Sequence, residues 1–177
     1  MSKTIRPDDP FRRLVRTEQL LWVLLTLIAP PSIAGVAMMM MGTMGEPVLA
    51  PELAISIAAA AAVGILVMST LLGNAMTSPQ RMDAVQHLLL PTIDGADADT
   101  SVPEPMRQAY RQAAYLHRVS LMQFALAESA VMVGLVMALL SASSIPVMVS
   151  AGAGMLHGII HRPRLRGFLR ERGRVVP

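Results

Sequence analysis

The residue of this sequence with the clearest chemical potential is Glu128, a single carboxylic acid within residues 124–141, FALAESAVMVGLVMALLS. Every other residue of this stretch is uncharged, and most are apolar. Ionisable side chains are rare in membrane helices and commonly bind protons or cations there. The sequence therefore offers two hypotheses for Glu128. It is either a protonated carboxyl group that joins helices by hydrogen bonds or a binding site for a proton or Na⁺.

The elements that must position Glu128 are four long apolar stretches, at about 20–41, 53–73, 119–141 and 145–161. Mean hydropathy is +0.50, and only 15% of the residues are charged. A hydrocarbon core about 30 Å thick is crossed by about 20 helical residues. The first three stretches are long enough, and the fourth is at the short end of the range. The sequence predicts an all-α integral membrane bundle of four transmembrane helices.

The basic residues predict the orientation of these spans. All 15 Lys and Arg residues lie before the first span, between the second and third, or after the fourth. Cytoplasmic connections carry the excess of positive charge, so both termini and the 74–118 connection are expected in the cytoplasm. The chain then divides into an N-terminal arm (1–17), a transmembrane domain (18–161) and a basic tail (162–177).

Helix breakers and small residues are predicted at the depth of Glu128, near the bilayer midplane. Pro30 and Pro31 cannot donate backbone hydrogen bonds, so the carbonyl groups of Thr26 and Leu27 lose their usual partners and we expect a kink. A neutral Glu128 could donate to one of these carbonyl groups. Small residues on the helices allow close approach in lipid. The small residues of this predicted seam are Ala61, Ala62, Gly64, Ala125, Gly152 and Gly154.

The Glu128 segment resembles the carboxylate helix of the ATP synthase proteolipid, subunit c. The shared features are Ala125-Leu126 before the acid, Gly134-Leu135-Val136 six residues after it, and Ala138-Leu139 beyond. Residues 53–73, which are rich in small side chains, resemble the inner helix of that family. The resemblance implies that Glu128 corresponds to the ion-binding carboxylate. The family's short polar loop is replaced here by a much longer connection.

Methionine and histidine residues raise a metal-binding alternative. Met40 and Met44 have i, i+4 spacing, and thioethers bind Cu(I), but methionine is also a common packing residue. His157 and His161 have the same spacing, yet a zinc site needs further ligands. Packed histidines are therefore the favoured interpretation, and a copper-handling membrane protein is a remote alternative.

The remaining features favour a membrane subunit over an enzyme. The sequence has no Gly-rich phosphate loop and no nucleophile–base arrangement, so we predict no catalysis and no cofactor beyond a proton or Na⁺ at Glu128. The arginines adjoin membrane segments, which favours anionic lipid headgroups over nucleic acid as partners. The leading prediction is a helical subunit of a larger assembly or homo-oligomer in a bacterial inner membrane. Proton or cation translocation of the proteolipid type is the alternative.

Overall fold

The parts of the chain that the structure describes are mainly helical. The computed structural model describes residues 10–41, 43, 45–86, 103–161, 165, 167 and 168. Its helices are α1 (Pro10–Trp22), a π-helical segment (Val23–Ile28), α2 (Ala29–Met41), α3 (Pro51–Met76), α4 (Pro79–Gln86), α5 (Glu104–Ser141) and α6 (Ile145–Ile160). No strand occurs among these described residues, which confirms the all-α prediction.

Proline marks the beginning of five of these helices. Pro10, Pro51 and Pro79 are the first residues of α1, α3 and α4, and Pro105 and Pro146 are the second residues of α5 and α6. Proline suits these positions because its fixed φ is helical and the first turn does not use its missing N–H. The part of the predicted N-terminal arm that is described, from Pro10 onward, is therefore helical.

The π-helical segment follows from two adjacent prolines on its C-terminal side. Pro30 and Pro31 lack the N–H groups that would bond Thr26 and Leu27 in a regular helix. The N–H of Ala29 instead donates to the carbonyl oxygen of Leu24, a residue five positions earlier, which is the π-helical pattern. A π-helical segment therefore precedes the two prolines, and the kink expected there stays a prediction.

The turn between α5 and α6 places these two helices side by side. Ala142 has a φ of 47°, a left-handed conformation that non-glycine residues rarely adopt. The N–H of Ser143 donates to the carbonyl oxygen of Ala138 at 3.2 Å and so occupies an acceptor at the end of α5. This compact turn brings Gly134 of α5 against Ser150 of α6.

The described residues belong to two compact units. The first contains residues up to Leu20, Leu72–Leu121 and the chain after Arg162. Its hydrophobic core combines one face of α1 with the first half of α5 and Leu165. The residues of this core are Phe11, Leu14, Val15, Ala109, Tyr110, Ala113 and Leu165. The ring of Phe11 packs edge-on against the ring of Tyr110, with centroids 5.3 Å apart.

The second unit contains Leu21–Leu71 and Met122–Arg162. Its interior is built mainly from small and β-branched side chains, and large apolar side chains cover its outside. The core residues are Ala34, Ala37, Val131, Ala138, Val147 and Ala151. Val63, Met68 and Leu156 are each more than half exposed. An apolar exterior around a small-residue interior is the pattern expected of helices packed in lipid.

Three helical stretches are long and apolar enough to cross a membrane: Phe11–Met41, Pro51–Met76 and Glu104–Ser141. The predicted spans 20–41, 53–73 and 119–141 lie within them. The shorter apolar helix α6 corresponds to the predicted fourth span. Glu18 and His117 precede the predicted spans of their helices. Most of the predicted basic tail, residues 1–9 of the predicted arm and Met44 lie outside the described residues.

Candidate functional site

The π-helical segment contacts the C-terminal half of α6 through Thr26. The Thr26 side chain is buried and lies directly against Gly158, where any Cβ atom would collide with it. The Nε1–H of Trp22 donates to the carbonyl oxygen of Gly158 at 2.8 Å. Glycine at position 158 thus allows the π-helical segment to pack directly against the backbone of α6. This contact fixes the positions of the α6 residues that flank Gly158.

Two histidines beside Gly158 contact α3. The Nε2 atom of His157 lies 3.1 Å from the Ser69 hydroxyl oxygen. The Nε2 atom of His161, one turn later, lies 3.1 Å from the Thr70 hydroxyl oxygen. The two imidazole rings are tilted by 45° relative to each other, with centroids 4.3 Å apart. The i, i+4 spacing predicted a shared helix face, and the structure directs both Nε2 atoms toward adjacent hydroxyl groups.

A residue of α5 completes this network. The side-chain amide of Gln123 donates to the carbonyl oxygen of Ser69 at 3.3 Å. Ser69 is fully buried, and His157 and Gln123 are each 5% exposed. The contacts thus connect all the apolar helical stretches of the second unit. We call this group the polar cluster, and its members are Trp22, Thr26, Ser69, Thr70, Gln123, His157 and His161.

Glu128 lies outside the polar cluster. Its side chain is half-buried, and it forms no hydrogen bond or ion pair with any residue that the structure describes. In particular, it does not bond to the carbonyl group of Thr26 or Leu27. The neighbouring Ser129 hydroxyl donates to the Ala125 carbonyl oxygen of its own helix at 2.8 Å. No group of the described chain therefore satisfies the Glu128 carboxyl group.

The residues of the predicted seam differ in their burial. Thr26, Pro30, Ala62 and Gly154 are buried. A Cβ atom at Gly154 would lie 3.1 Å from Val131, so this glycine does serve a close contact between α6 and α5. Ala61 is half-buried, and the remaining members are exposed. The exposed members are Pro31, Gly64, Ala125 and Gly152.

A fully buried glutamate that was not among the predicted site residues lies in the first unit. Glu18 is 1% exposed, and its Oε1 atom accepts a hydrogen bond from the Ser120 hydroxyl at 2.8 Å. Burial raises the pKa of the Glu18 carboxyl group, against smaller opposing effects of Ser120 and the Leu165 backbone. In the sequence, Glu18 follows closely after Arg12, Arg13 and Arg16, a pattern typical of a solvated charged segment. The hydrophobic positions Phe11, Leu14 and Val15 were the available signal, since helical spacing puts Glu18 on their face.

The metal-binding alternatives gain no further ligands. Met40 is exposed, and Met44 lies outside the described residues. Among the residues that the structure describes, no three His, Cys, Asp or Glu side chains are grouped closely enough to hold a metal ion. His157 and His161 instead take part in hydrogen bonding with serine and threonine. The copper hypothesis stays a prediction.

Comparisons of the chain with protein-family models, curated proteins and solved structures found no match. The class that the fold defines is a small multi-pass membrane protein, because three apolar helical stretches are long enough to span a bilayer. The polar cluster and Glu128 are the features of the described chain that bear on a more specific function.

Proposed function

We propose that this chain is a helical subunit of a larger membrane assembly, in which Glu128 lies at a seam with a neighbouring subunit. The observation that carries this proposal is the unsatisfied carboxyl group. Glu128 is half-buried in an uncharged part of α5 and has no partner among the described residues. The polar cluster of the same unit, in contrast, is bonded within the chain.

The surroundings of the Glu128 carboxyl group make it energetically unfavourable in an isolated chain. A carboxyl group facing hydrocarbon is costly even when it is neutral, because nothing there accepts its hydrogen bond. A neighbouring subunit would supply an acceptor. Ala125 and Ser129, near Glu128, are small and exposed, so another helix could approach α5 closely at this level. We refer to Ala125, Glu128, Ser129 and Met132 as the Glu128 face.

We infer that the neighbour is a second copy of the chain. A twofold arrangement brings the same face of each copy together, and two protonated carboxyl groups would then be mutual hydrogen-bonding partners. We further propose that α6 crosses the bilayer as the fourth span and that both termini lie in the cytoplasm of a bacterial inner membrane. Their arginines would contact anionic lipid headgroups.

The direct test is the mass of the purified protein in mild detergent, compared between wild type and two variants of Glu128. Glu128→Gln keeps a hydrogen-bonding group of the same shape, and Glu128→Leu removes hydrogen bonding. We expect oligomers for the wild type and Glu128→Gln. We expect roughly tenfold weaker association for Glu128→Leu, on the scale of one interhelical hydrogen bond in a membrane. A wild type that is monomeric in every mild detergent and in nanodiscs would refute the proposal.

A second candidate is proton or Na⁺ binding by Glu128 itself. It is favoured by the absence of a cationic partner for this carboxyl group among the described residues, together with the proteolipid resemblance of residues 124–140. Carbodiimides label protonated carboxyl groups. Labelling of Glu128 that depends on pH and is suppressed by Na⁺ would support ion binding. Proton flux that is unchanged in Glu128→Gln would exclude translocation.

A further inference from the structure

The apolar face of α1 ends in a buried carboxylic acid. Phe11, Leu14 and Val15 recur at helical spacing and pack against the first half of α5, and Glu18 continues the same face one turn later. Glu18 is as fully buried as the apolar side chains before it. A separation of α1 from α5 would therefore also expose the Glu18 carboxyl group to water.

Few hydrogen-bond donors reach this carboxyl group in the packed form. The Ser120 hydroxyl donates to its Oε1 atom at 2.8 Å, and the Leu165 backbone bonds to the same side chain. The Oε2 atom is buried with no partner among the described residues. An ionised carboxylate can accept about four hydrogen bonds, and a buried charge without compensation costs far more than a neutral group. The packed form therefore favours a protonated Glu18.

The charged residues near this site leave burial as the dominant influence on Glu18. The basic residues beside the packed segments are Arg12, Arg13, Arg16 and Arg118, which are exposed, and Arg164 and Arg166, which lie outside the described residues. On α5 the nearest ionisable side chain that is buried is His117. Burial raises the pKa of Glu18, and the influences that oppose it are hydrogen bonds rather than charges.

We propose that Glu18 is a pH-sensitive switch, separate from Glu128, that keeps α1 packed on α5 while its carboxyl group is protonated and lets α1 separate when this group ionises. In the separated form the carboxyl group is in water and loses its proton at the ordinary pKa of 4.5. Below this pH both forms hold the proton, and the equilibrium between them does not change. Above it the separated form ionises first, so a rise in pH favours separation until the packed form also ionises.

Thiol labelling of the full chain in nanodiscs measures this separation. The chain contains no cysteine, and Val15→Cys places a thiol at a position of the packed face that is 3% exposed, so labelling requires α1 to separate. Because the reactivity of a thiol itself increases with pH, each rate is divided by that of the Val15→Cys, Glu18→Gln double variant at the same pH. We expect this ratio to rise by up to about tenfold per pH unit above about pH 5 and then to level off.

Two further substitutions sharpen the experiment. Glu52 is exposed, so Glu52→Gln combined with Val15→Cys should label at the same rate as Val15→Cys alone at every pH. Ser120→Ala removes a donor that favours the ionised carboxylate. With Ser120→Ala present in both chains of the comparison, the ratio should therefore continue to rise to a higher pH.

A ratio that stays constant with pH would overturn the proposal. A ratio that falls as the pH rises would also overturn it, because that result is expected if an arginine pairs with Glu18 in the packed form. Hydrogen exchange of the α1 amide groups in the wild type measures the same separation without any substitution. After correction for the intrinsic effect of pH on exchange, we expect their protection to decrease as the pH rises, and protection that is independent of pH would refute the switch.

Discussion

The polar cluster and Glu128 belong to the same apolar unit, yet they differ in the hydrogen-bond partners that the described chain provides. In the cluster, hydroxyl, imidazole, amide and indole groups bond to one another or to a backbone carbonyl group. Glu128, the one residue of 124–141 that can carry a full charge, finds no such partner among the described residues. On the proposal made above, the cluster stabilises the packing of the chain itself, whereas Glu128 contacts a neighbouring subunit. Substitutions can test each half of this comparison.

The largest effect is expected where α5 and α6 are closest. A Cβ atom at position 134 would collide with the Ser150 side chain and lie 2.8 Å from the Pro146 carbonyl oxygen, which is backbone and cannot rotate away. We expect Gly134→Ala to lower the free energy of unfolding by about 2–3 kcal/mol, the cost of overpacking. Thermal unfolding in detergent measures this change. The matched control is Gly152→Ala, since nothing lies within 4 Å of a Cβ atom there. Equal stability of the two variants would contradict this packing.

The next largest effect is expected for a serine of the polar cluster. Ser69 and Ser150 are both fully buried, but Ser69 bonds to His157, and the Ser150 hydroxyl has no partner among the described residues. Ser69→Ala should lower the free energy of unfolding by about 1 kcal/mol, the usual net contribution of a buried hydrogen bond. Ser150→Ala should be neutral or stabilising. If both substitutions lowered the free energy of unfolding equally, the polar cluster would not stabilise the packing of these helices.

Glu18 extends the comparison to a buried glutamate that has one side-chain partner within the chain, because the Ser120 hydroxyl donates to its Oε1 atom, while its Oε2 atom is buried with no partner among the described residues. Because burial raises its pKa, the folded protein keeps this proton to higher pH than the unfolded chain does. The contribution of Glu18 to stability is therefore most favourable at low pH and declines as the pH rises above the ordinary value of 4.5. Glu18→Gln removes this dependence. We expect its stability relative to wild type to increase as the pH rises.

Unfolding curves at several pH values measure the Glu18 effect. Glu52, which is exposed on the first turn of α3, provides the control substitution Glu52→Gln. A constant difference between Glu18→Gln and wild type across the pH range would show that burial of this carboxyl group has no electrostatic consequence.

The smallest effect on the stability of a single chain is expected at Glu128. Because the described chain gives it no partner, Glu128→Gln and Glu128→Leu should change the unfolding free energy of the monomer by no more than about 0.5 kcal/mol. The measurement requires a detergent that keeps the protein monomeric. A loss as large as that of Ser69→Ala would mean that Glu128 is bonded within its own chain after all.

Much of the fold could be predicted from the sequence because hydropathy alone decides it. The uncharged stretches are long, so the existence of the apolar helices was predictable, although the first helical stretch begins at Pro10, well before the predicted span. Pro30 and Pro31 predicted a kink, because their missing N–H groups remove two helical hydrogen bonds. The π-helical form of the segment before them, in which the N–H of Ala29 donates to the carbonyl oxygen of Leu24, was not predicted, because two missing donors are compatible with more than one backbone arrangement.

The polar cluster could be predicted only in part. The spacing of His157 and His161 indicated a shared face, but Ser69, Thr70 and Gln123 are distant in the sequence and are common in loops and helix surfaces. The available signal was the pair of adjacent hydroxyl residues, Ser69 and Thr70, within an otherwise apolar stretch. Which helix faces which is determined by small-residue contacts such as Gly158 with Thr26, and those emerge only from the folded chain.

The central claim is that the Glu128 face meets a second copy of the chain, and cysteine cross-linking in the membrane tests it most directly. The chain contains no cysteine, so each substitution introduces a unique thiol. Ala125→Cys places it on the Glu128 face, and Val63→Cys places it at a position of α3 that is 63% exposed. We predict that mild oxidation cross-links Ala125→Cys into a dimer much faster than Val63→Cys. Equal rates, or no dimer from Ala125→Cys, would contradict the account.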